Sequence, residues 1–218
     1  NSETNHFYAQ FKLAQNKHLI NMKTSRSDTG RVLQTMTNNS IKENLAGAVL
    51  TIDLNSIVAN YSLLRHKAKS AKVGAVVKAN AYGIGMSRIA PVLAAAGCEI
   101  FFVAHVSEGV KLRNLLPDIE IHVLNGLLSG TEEVYVQYTL IPVLGSIDEI
   151  DRWINICGKT KHTCDLHIDT GMLRLGLPAY ELEQLLEKNH RLDSLSINLV
   201  LSHLASADIE DSQQNVKQ

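Results

Sequence analysis

Residues 73–85 read Val-Gly-Ala-Val-Val-Lys-Ala-Asn-Ala-Tyr-Gly-Ile-Gly, a short run of small apolar residues that ends in a lysine and a glycine-containing turn. The run has no polar alternation, which is typical of a parallel strand buried on both faces, and it predicts a strand over residues 73–79. Lys78 would then lie near the carboxyl end of a buried strand. On position alone, a lysine that extends from a strand end into solvent is the simpler interpretation.

Apolar runs and helical patterns alternate along the chain from residue 48 onward. Strands are predicted at residues 49–54, 73–79, 100–104, 119–124, 140–144, 163–169 and 195–202. Strands that alternate with helices indicate parallel βαβ units, and the series falls one unit short of a barrel of eight. The predicted fold is therefore an α/β, (β/α)8 TIM-type barrel with about seven of its eight units. A Rossmann fold is the alternative, but Arg88 replaces the third glycine of its fingerprint.

The residues with useful chemistry follow predicted strands. Lys78, Leu124, Asp169 and His203 lie at or just past strand ends, and Arg174 lies in the loop after the sixth strand. Because the carboxyl ends of barrel strands meet at one rim, these side chains are expected at the same mouth.

Composition narrows the class of protein. The 218 residues carry a formal net charge of −1 and 45% hydrophobic residues, so neither a nucleic-acid surface nor a membrane segment is indicated. Residues 1–46 form a polar, loosely ordered N-terminal extension, and residues 47–218 form the barrel domain. The three cysteines show no metal-binding spacing, so we expect no metal site and a cytoplasmic location with reduced thiols.

Three motifs resemble those of one enzyme family. They are Lys-Ala-Asn-Ala-Tyr-Gly-Ile-Gly at residues 78–85, Asp-Thr-Gly-Met-Leu-Arg-Leu-Gly at 169–176 and Ser-His-Leu-Ala-Ser-Ala-Asp at 202–208. Together they resemble the alanine racemases, which are fold-type III pyridoxal-phosphate enzymes. The resemblance runs from about residue 48 to the end of the sequence.

The resemblance implies a role for each residue at the rim. Lys78 would form an imine with pyridoxal phosphate and then act as a general base on one face of the substrate. Tyr82 would reach the cofactor phosphate, and Leu124 would line the same pocket. Arg174 would bind a cofactor oxygen and the substrate carboxylate, and His203 would lie against the pyridine ring. From position alone, there are three alternatives. Tyr82 packs over the barrel rim, Arg174 forms a surface ion pair, and His203 is a core histidine.

Two positions need separate treatment. Some alanine racemases have a carbon-dioxide-modified lysine where this chain has His167, and a histidine cannot form that carbamate. An anion or another acceptor would then hold Arg174, or Arg174 is held differently. Asp169 is expected to accept hydrogen bonds from the Thr-Gly turn, with a catalytic carboxylate as the alternative. His105 and His122 are expected to be structural.

The resemblance also implies the activity. It implies interconversion of L- and D-alanine by two-base proton transfer for peptidoglycan, in a homodimer with shared active sites. The second base, a tyrosine in a C-terminal β domain, and the other phosphate ligands would lie beyond residue 218. Because the chain begins with Asn1, we expect a segment of a longer polypeptide. A racemase of serine or a broader range of amino acids, and a non-catalytic pyridoxal-phosphate-binding barrel, remain as alternatives.

Overall fold

The computed structural model describes residues 9–12, 20–23, 49–157, 162–187, 190–209 and 211–218. The strands are β1 (Ala9–Lys12), β2 (Ile20–Lys23), β3 (Val49–Ile52), β4 (Val73–Val76), β5 (Ile100–Val103), β6 (Glu120–Val123), β7 (Ile141–Leu144), β8 (Thr163–His167) and β9 (Ser196–Leu201). The helices are α1 (Leu54–Lys67), α2 (Lys78–Tyr82), α3 (Met86–Ala95), α4 (Val106–Leu115), α5 (Glu132–Gln137), α6 (Ile147–Cys157), α7 (Ala179–Glu187), α8 (His190–Asp193) and α9 (Gln213–Lys217). Within these ranges, no helix has the length and apolar character needed to cross a bilayer.

Parallel strands form one curled sheet in the order β1-β4-β5-β6-β7-β8-β9. Leu199 on β9 belongs to the same buried cluster as Val76 on β4 and Phe102 on β5. In a flat sheet, five inter-strand spacings would hold β4 and β9 roughly 24 Å apart. Contact across that distance requires curling, so the predicted barrel class is confirmed in the form of a half-barrel.

The first predicted βα unit does not contribute its strand to this sheet. The strand predicted over residues 49–54 forms as β3, but it pairs antiparallel with β2. The edge position beside β4 is taken by β1 instead. The sheet therefore has the expected seven strands, but β1 takes the place that was predicted for β3. Which strands pair depends on tertiary contacts that the pattern of apolar residues does not encode. The predicted domain boundary at residues 46 and 47 lies outside the described residues, and β1 and β2 fall within the predicted extension.

Asp53 is the N-cap of helix α1. Its side chain accepts from the amides of Asn55 at 2.9 Å and Ser56 at 3.3 Å. The short side chain of an aspartate directly after a strand can reach two otherwise unpaired amides of the first turn. The side-chain hydrogen bond from Ser56 and these amide bonds lower the pKa of Asp53.

The helices cover the outer face of the sheet. Three of the largest side chains there, Tyr61, Tyr135 and Trp153, are almost fully buried. Apolar residues of the strands, such as Ile121 and Leu166, point to the same outer core. The other face of the sheet is the interior of the half-barrel, where His122 and Asp165 lie.

Buried polar residues occupy part of that interior. His122 on β6 and Asp165 on β8 are both fully buried, and their Nδ1 and Oδ2 atoms are 2.5 Å apart. The ring of His122 stacks on Phe102 with centroids 4.7 Å apart. Glu120 approaches the other ring nitrogen at 3.4 Å and accepts from Asn198 of β9. These contacts agree with a structural role for His122.

Candidate active site at the strand ends

The rim of the half-barrel brings the predicted residues to one end of the sheet. Lys78 follows β4, Leu124 follows β6 directly, His167 ends β8 and His203 follows β9. All these strands are parallel, so the four positions lie at the same rim. The sequence predicted this for Lys78, Leu124 and His203, and for Asp169, which follows His167 by two residues. Lys78, Leu124 and His203 are half-buried.

The backbone after Lys78 takes an unusual course. The strand was predicted to continue to residue 79, but β4 ends at Val76, and Lys78 starts a short turn. Residues 79–82 have φ between 52° and 55°, and residues 79–81 have ψ between 47° and 50°, which is the left-handed helical region. This conformation costs non-glycine residues about 1–2 kcal/mol each. We refer to residues 79–82 as the left-handed turn.

Hydrogen bonds hold the left-handed turn on both sides. Within it, the amides of Ala81 and Gly83 donate to the carbonyls of Val77 and Ala79 at 2.8 and 2.9 Å. The side chain of Asn80 accepts from the Met86 amide at 3.0 Å and so caps helix α3. On the side of β5, a carboxylate of Glu108 accepts from the Ala79 amide at 2.6 Å.

Gly83 and Gly85 continue this backbone path. Their φ angles are 89° and 101°, which favour glycine because it lacks a Cβ atom. Both glycines therefore serve the backbone conformation of this turn.

Tyr82 closes the left-handed turn against the barrel interior. Its side chain is half-buried and packs against the cluster that contains Val76 and Phe102, and Leu124 packs against the same cluster. Burial raises the pKa of the Tyr82 phenol. Tyr82 and Leu124 are therefore brought to one apolar patch, as expected of residues that share a pocket.

A cavity of about 260 Å³ lies beside the end of β8. Leu124, His167 and Arg174 line it, together with Gly145 and Gly176. A Cβ atom on Gly176 would lie 3.0 Å from the ring of His167, so glycine allows the loop that carries Arg174 to pass close to the strand ends. Lys78, Tyr82 and His203 are not among the residues that line this cavity.

His167 is buried in a setting that favours its neutral form. Desolvation lowers the pKa of the imidazole, and the nearby positive charges of His203 and Arg174 act in the same direction against the attraction of Asp169. A neutral imidazole keeps one nitrogen as a hydrogen-bond acceptor. His167 and Arg174 line the same cavity.

Asp169 has the structural role that the sequence predicted. Its Oδ1 accepts from the amides of Gly171 at 2.9 Å and Leu173 at 3.1 Å, and these bonds lower its pKa. The hydroxyl groups of Thr170 and Ser202 are 2.6 Å apart and join the loop of Arg174 to the loop of His203.

Two glutamates at the rim were not identified from the sequence. Glu108 is the carboxylate that contacts the left-handed turn, and Glu149 accepts from the amides of Leu127 at 3.0 Å and Gly145 at 2.7 Å. For Glu149 a local signal existed, since Ser146 three residues earlier makes an N-terminal capping pattern. For Glu108 no Ser or Thr marks the same pattern, because His105 is the residue before the helix.

Comparisons with known proteins agree with the motifs. The family profile described as "Alanine racemase, N-terminal domain" matches residues 52–218. The alanine racemase of Rhodospirillum rubrum is 44% identical over 180 residues, which are 81% of this chain and 48% of that protein. That of Brucella ovis is 42% identical over 176 residues, 79% of this chain and 44% of that protein.

Solved structures give the same result. The structure of alanine racemase from Bartonella henselae with covalently bound pyridoxal phosphate matches with a TM-score of 0.73 and 39% identity, over 76% of this chain and 49% of that one. The biosynthetic alanine racemase from Pseudomonas aeruginosa matches with a TM-score of 0.68 and 28% identity, over 76% of this chain and 46% of that one. The chain thus spans about half the length of the relatives it matches.

Proposed function

Because the chain belongs to the alanine racemase N-terminal domain family, we propose that it forms the cofactor-binding barrel of a pyridoxal-phosphate-dependent racemase that interconverts L- and D-alanine. The observation that carries the proposal is Lys78, a half-buried amine between a buried strand and a left-handed turn. A lysine amine is the group that reacts with the aldehyde of this cofactor to give an imine.

The chemistry of the rim residues fits this cofactor. The rim offers an amine, a phenol, a guanidinium group and an imidazole, which suit an aldehyde, a phosphate, a phenolate oxygen and an aromatic ring. When bound, pyridoxal phosphate would supply an electron sink for the charge left after a proton is removed from Cα. Lys78 would attach the cofactor and move the proton on one face of the substrate.

The other residues would position the reactants. Tyr82 would donate to the phosphate, and His203 would pack against the pyridine ring. Arg174 would bind the cofactor oxygen and the substrate carboxylate, and Leu124 would line the same pocket. In place of a carbamate, the neutral imidazole of His167 would orient Arg174, which is supported by their common cavity and by the lowered pKa of His167.

The remaining parts of the proposal concern the whole protein. We place the second base and further phosphate ligands outside these 218 residues, in a homodimer with shared sites. The activity would supply D-alanine for peptidoglycan in the cytoplasm. Sedimentation of the full chain tests the oligomer, for which we expect the mass of a dimer.

Covalent trapping tests the site. Borohydride reduction of the full chain loaded with pyridoxal phosphate, followed by peptide mapping, should place the label on Lys78. A label on Lys72 or Lys111 instead would contradict the assignment. A racemisation assay followed by circular dichroism, with alanine, serine and other amino acids, then separates the candidates. Label on Lys78 without racemisation of any of them would favour the non-catalytic cofactor carrier.

A further inference from the structure

One carboxylate connects the left-handed turn to the next βα unit. Glu108, in the first turn of α4, accepts from the Ala79 amide through Oε1 at 2.6 Å. Its Oε2 accepts from the amides of Ala104 at 2.9 Å and His105 at 3.1 Å, at the end of β5. Both oxygens are therefore used, and together they bind the residue directly after Lys78 to the start of the neighbouring helix.

The position of this contact gives it a specific consequence. Ala79 is the first residue of the left-handed turn, so its amide sets where this turn begins. If that amide were released, the backbone could relax towards ordinary φ angles, and the Cα–Cβ bond of Lys78 would change direction. The contacts within the turn, such as Gly83 N to Ala79 O, would not by themselves restore the link to β5.

The geometry points to Glu108 as a positioning residue that holds Lys78 in the orientation needed to take up the cofactor. This inference rests on the proposed function, since Lys78 is the residue that is positioned. Glu108 acts through the backbone of Ala79, and it is not assigned a step in proton transfer.

Similar contacts elsewhere in the sheet provide a matched control. Glu181, in the first turn of α7, accepts from the Ile147 amide of the preceding unit at 2.8 Å. Glu149 makes the equivalent contact to Leu127, but it lines the cavity of Arg174. Glu181→Gln therefore makes the same chemical change in a contact of the same kind without touching the left-handed turn.

The experiment compares Glu108→Gln with Glu181→Gln in the full chain. The amide group of glutamine has one accepting oxygen, which we expect to keep the two bonds to Ala104 and His105, so the bond to the Ala79 amide is lost. Hydrogen exchange without cofactor should be about tenfold faster at the amides of Ala81, Gly83 and Gly85 in Glu108→Gln, because losing a hydrogen bond to a charged group changes an equilibrium by about that factor or more. Pyridoxal phosphate should bind about tenfold more weakly, as measured by fluorescence titration. Glu181→Gln should change neither quantity.

The outcomes of this experiment separate the role of Glu108 from the proposed function of the protein. Unchanged exchange in residues 79–85 and unchanged cofactor affinity in Glu108→Gln would overturn the inference while the label on Lys78 still supports the proposed function. If the original chain takes no label on Lys78, the proposed function fails, and exchange alone then tests the contact. If Glu108→Gln does not fold, Glu108→Asp keeps the charge at the start of α4 but is too short to reach both sides. It should show the same two changes, and their absence would equally overturn the inference.

Discussion

Ala79, Asn80 and Ala81 adopt a backbone conformation that alanine and most other residues avoid, and a glycine comes only at position 83. Alanine keeps the Cβ atom that clashes with the carbonyl oxygen in this conformation, and it lacks the unfolded-state freedom of glycine. Local strain of this kind persists where surrounding contacts fix it, and here Glu108 and the Asn80 side chain supply those contacts. The strain is therefore located next to Lys78, the amine that we propose reacts with the cofactor.

Ala79→Gly should raise the free energy of unfolding. The substitution removes a positive-φ penalty of about 1–2 kcal/mol and adds about 0.5–1 kcal/mol of unfolded-state entropy, for a net gain of about 0.5–1 kcal/mol. Urea unfolding of the full chain measures it. Ala79 is exposed, as is Ala59 in the interior of α1, so Ala59→Gly is the matched control and should lose about 1 kcal/mol. Equal losses in both variants would contradict the left-handed conformation.

Arg174→Lys should weaken both cofactor binding and substrate binding. An ammonium group cannot form the two parallel hydrogen bonds that a guanidinium group makes with a carboxylate. We expect about a tenfold loss in each of cofactor affinity and kcat/KM, equivalent to about 1.4 kcal/mol. Arg88→Lys, at an exposed position of α3, is the control and should have no effect. Normal turnover in Arg174→Lys would show that Arg174 does not bind the cofactor or the substrate.

Among the elements, β6 and β8 are joined inside the half-barrel by the pair of His122 and Asp165. Burial alone lowers the pKa of His122, but the hydrogen bonds to Asp165 and Glu120 outweigh it and raise the pKa to about 9. Burial raises the pKa of Asp165, although His122 opposes it. The pair therefore holds a proton at neutral pH that the unfolded chain would release more easily.

Stability should fall as the pH rises through the alkaline range. A folded-state pKa above the ordinary value of 6.5 means that the stabilisation is complete below pH 6.5 and is lost towards pH 9. The slope is at most about 1.4 kcal/mol per pH unit for one proton. Urea unfolding below pH 9, the ordinary pKa of the buried thiols, isolates this effect.

His122→Gln is the comparison for that prediction. It should flatten the pH dependence and also lower stability by about 3–5 kcal/mol, because Asp165 is left without its charged partner. A pH profile that is the same with and without His122 would show that the pair does not carry the extra proton.

The order of strands and helices after residue 73 could be predicted, since β4, β5 and β7 are continuous apolar runs and helical patterns separate the strands. Most predicted boundaries fall within about two residues of the structure, the usual error at frayed ends. The left-handed turn could not be predicted from the residues themselves, because alanine has no preference for positive φ. Two contacts join residues that are distant in sequence, namely His122 with Asp165 and Glu108 with Ala79. Local sequence patterns therefore do not predict them.

At the scale of the whole molecule, β9 ends the sheet of the described strands. Val200 on β9 is 62% exposed, and Ile197 on the same strand is 37% exposed. An apolar strand at a sheet edge presents unpaired backbone groups beside apolar side chains, which is a template for association with another chain. In a (β/α) barrel, this is the position that a further βα unit covers.

Residues 1–218 expressed alone should therefore self-associate through β9, and Val200→Lys should reduce that association. A lysine at an exposed edge opposes strand pairing by charge repulsion and by its hydration. Leu63→Lys is the matched control, because Leu63 is 54% exposed but lies on helix α1 and not on β9. Sedimentation velocity across a concentration series should show mainly monomer for Val200→Lys. It should show association for unsubstituted residues 1–218 and for Leu63→Lys. Association that persists unchanged in Val200→Lys, with the fold intact by circular dichroism, would show that β9 is not the surface through which the chains meet.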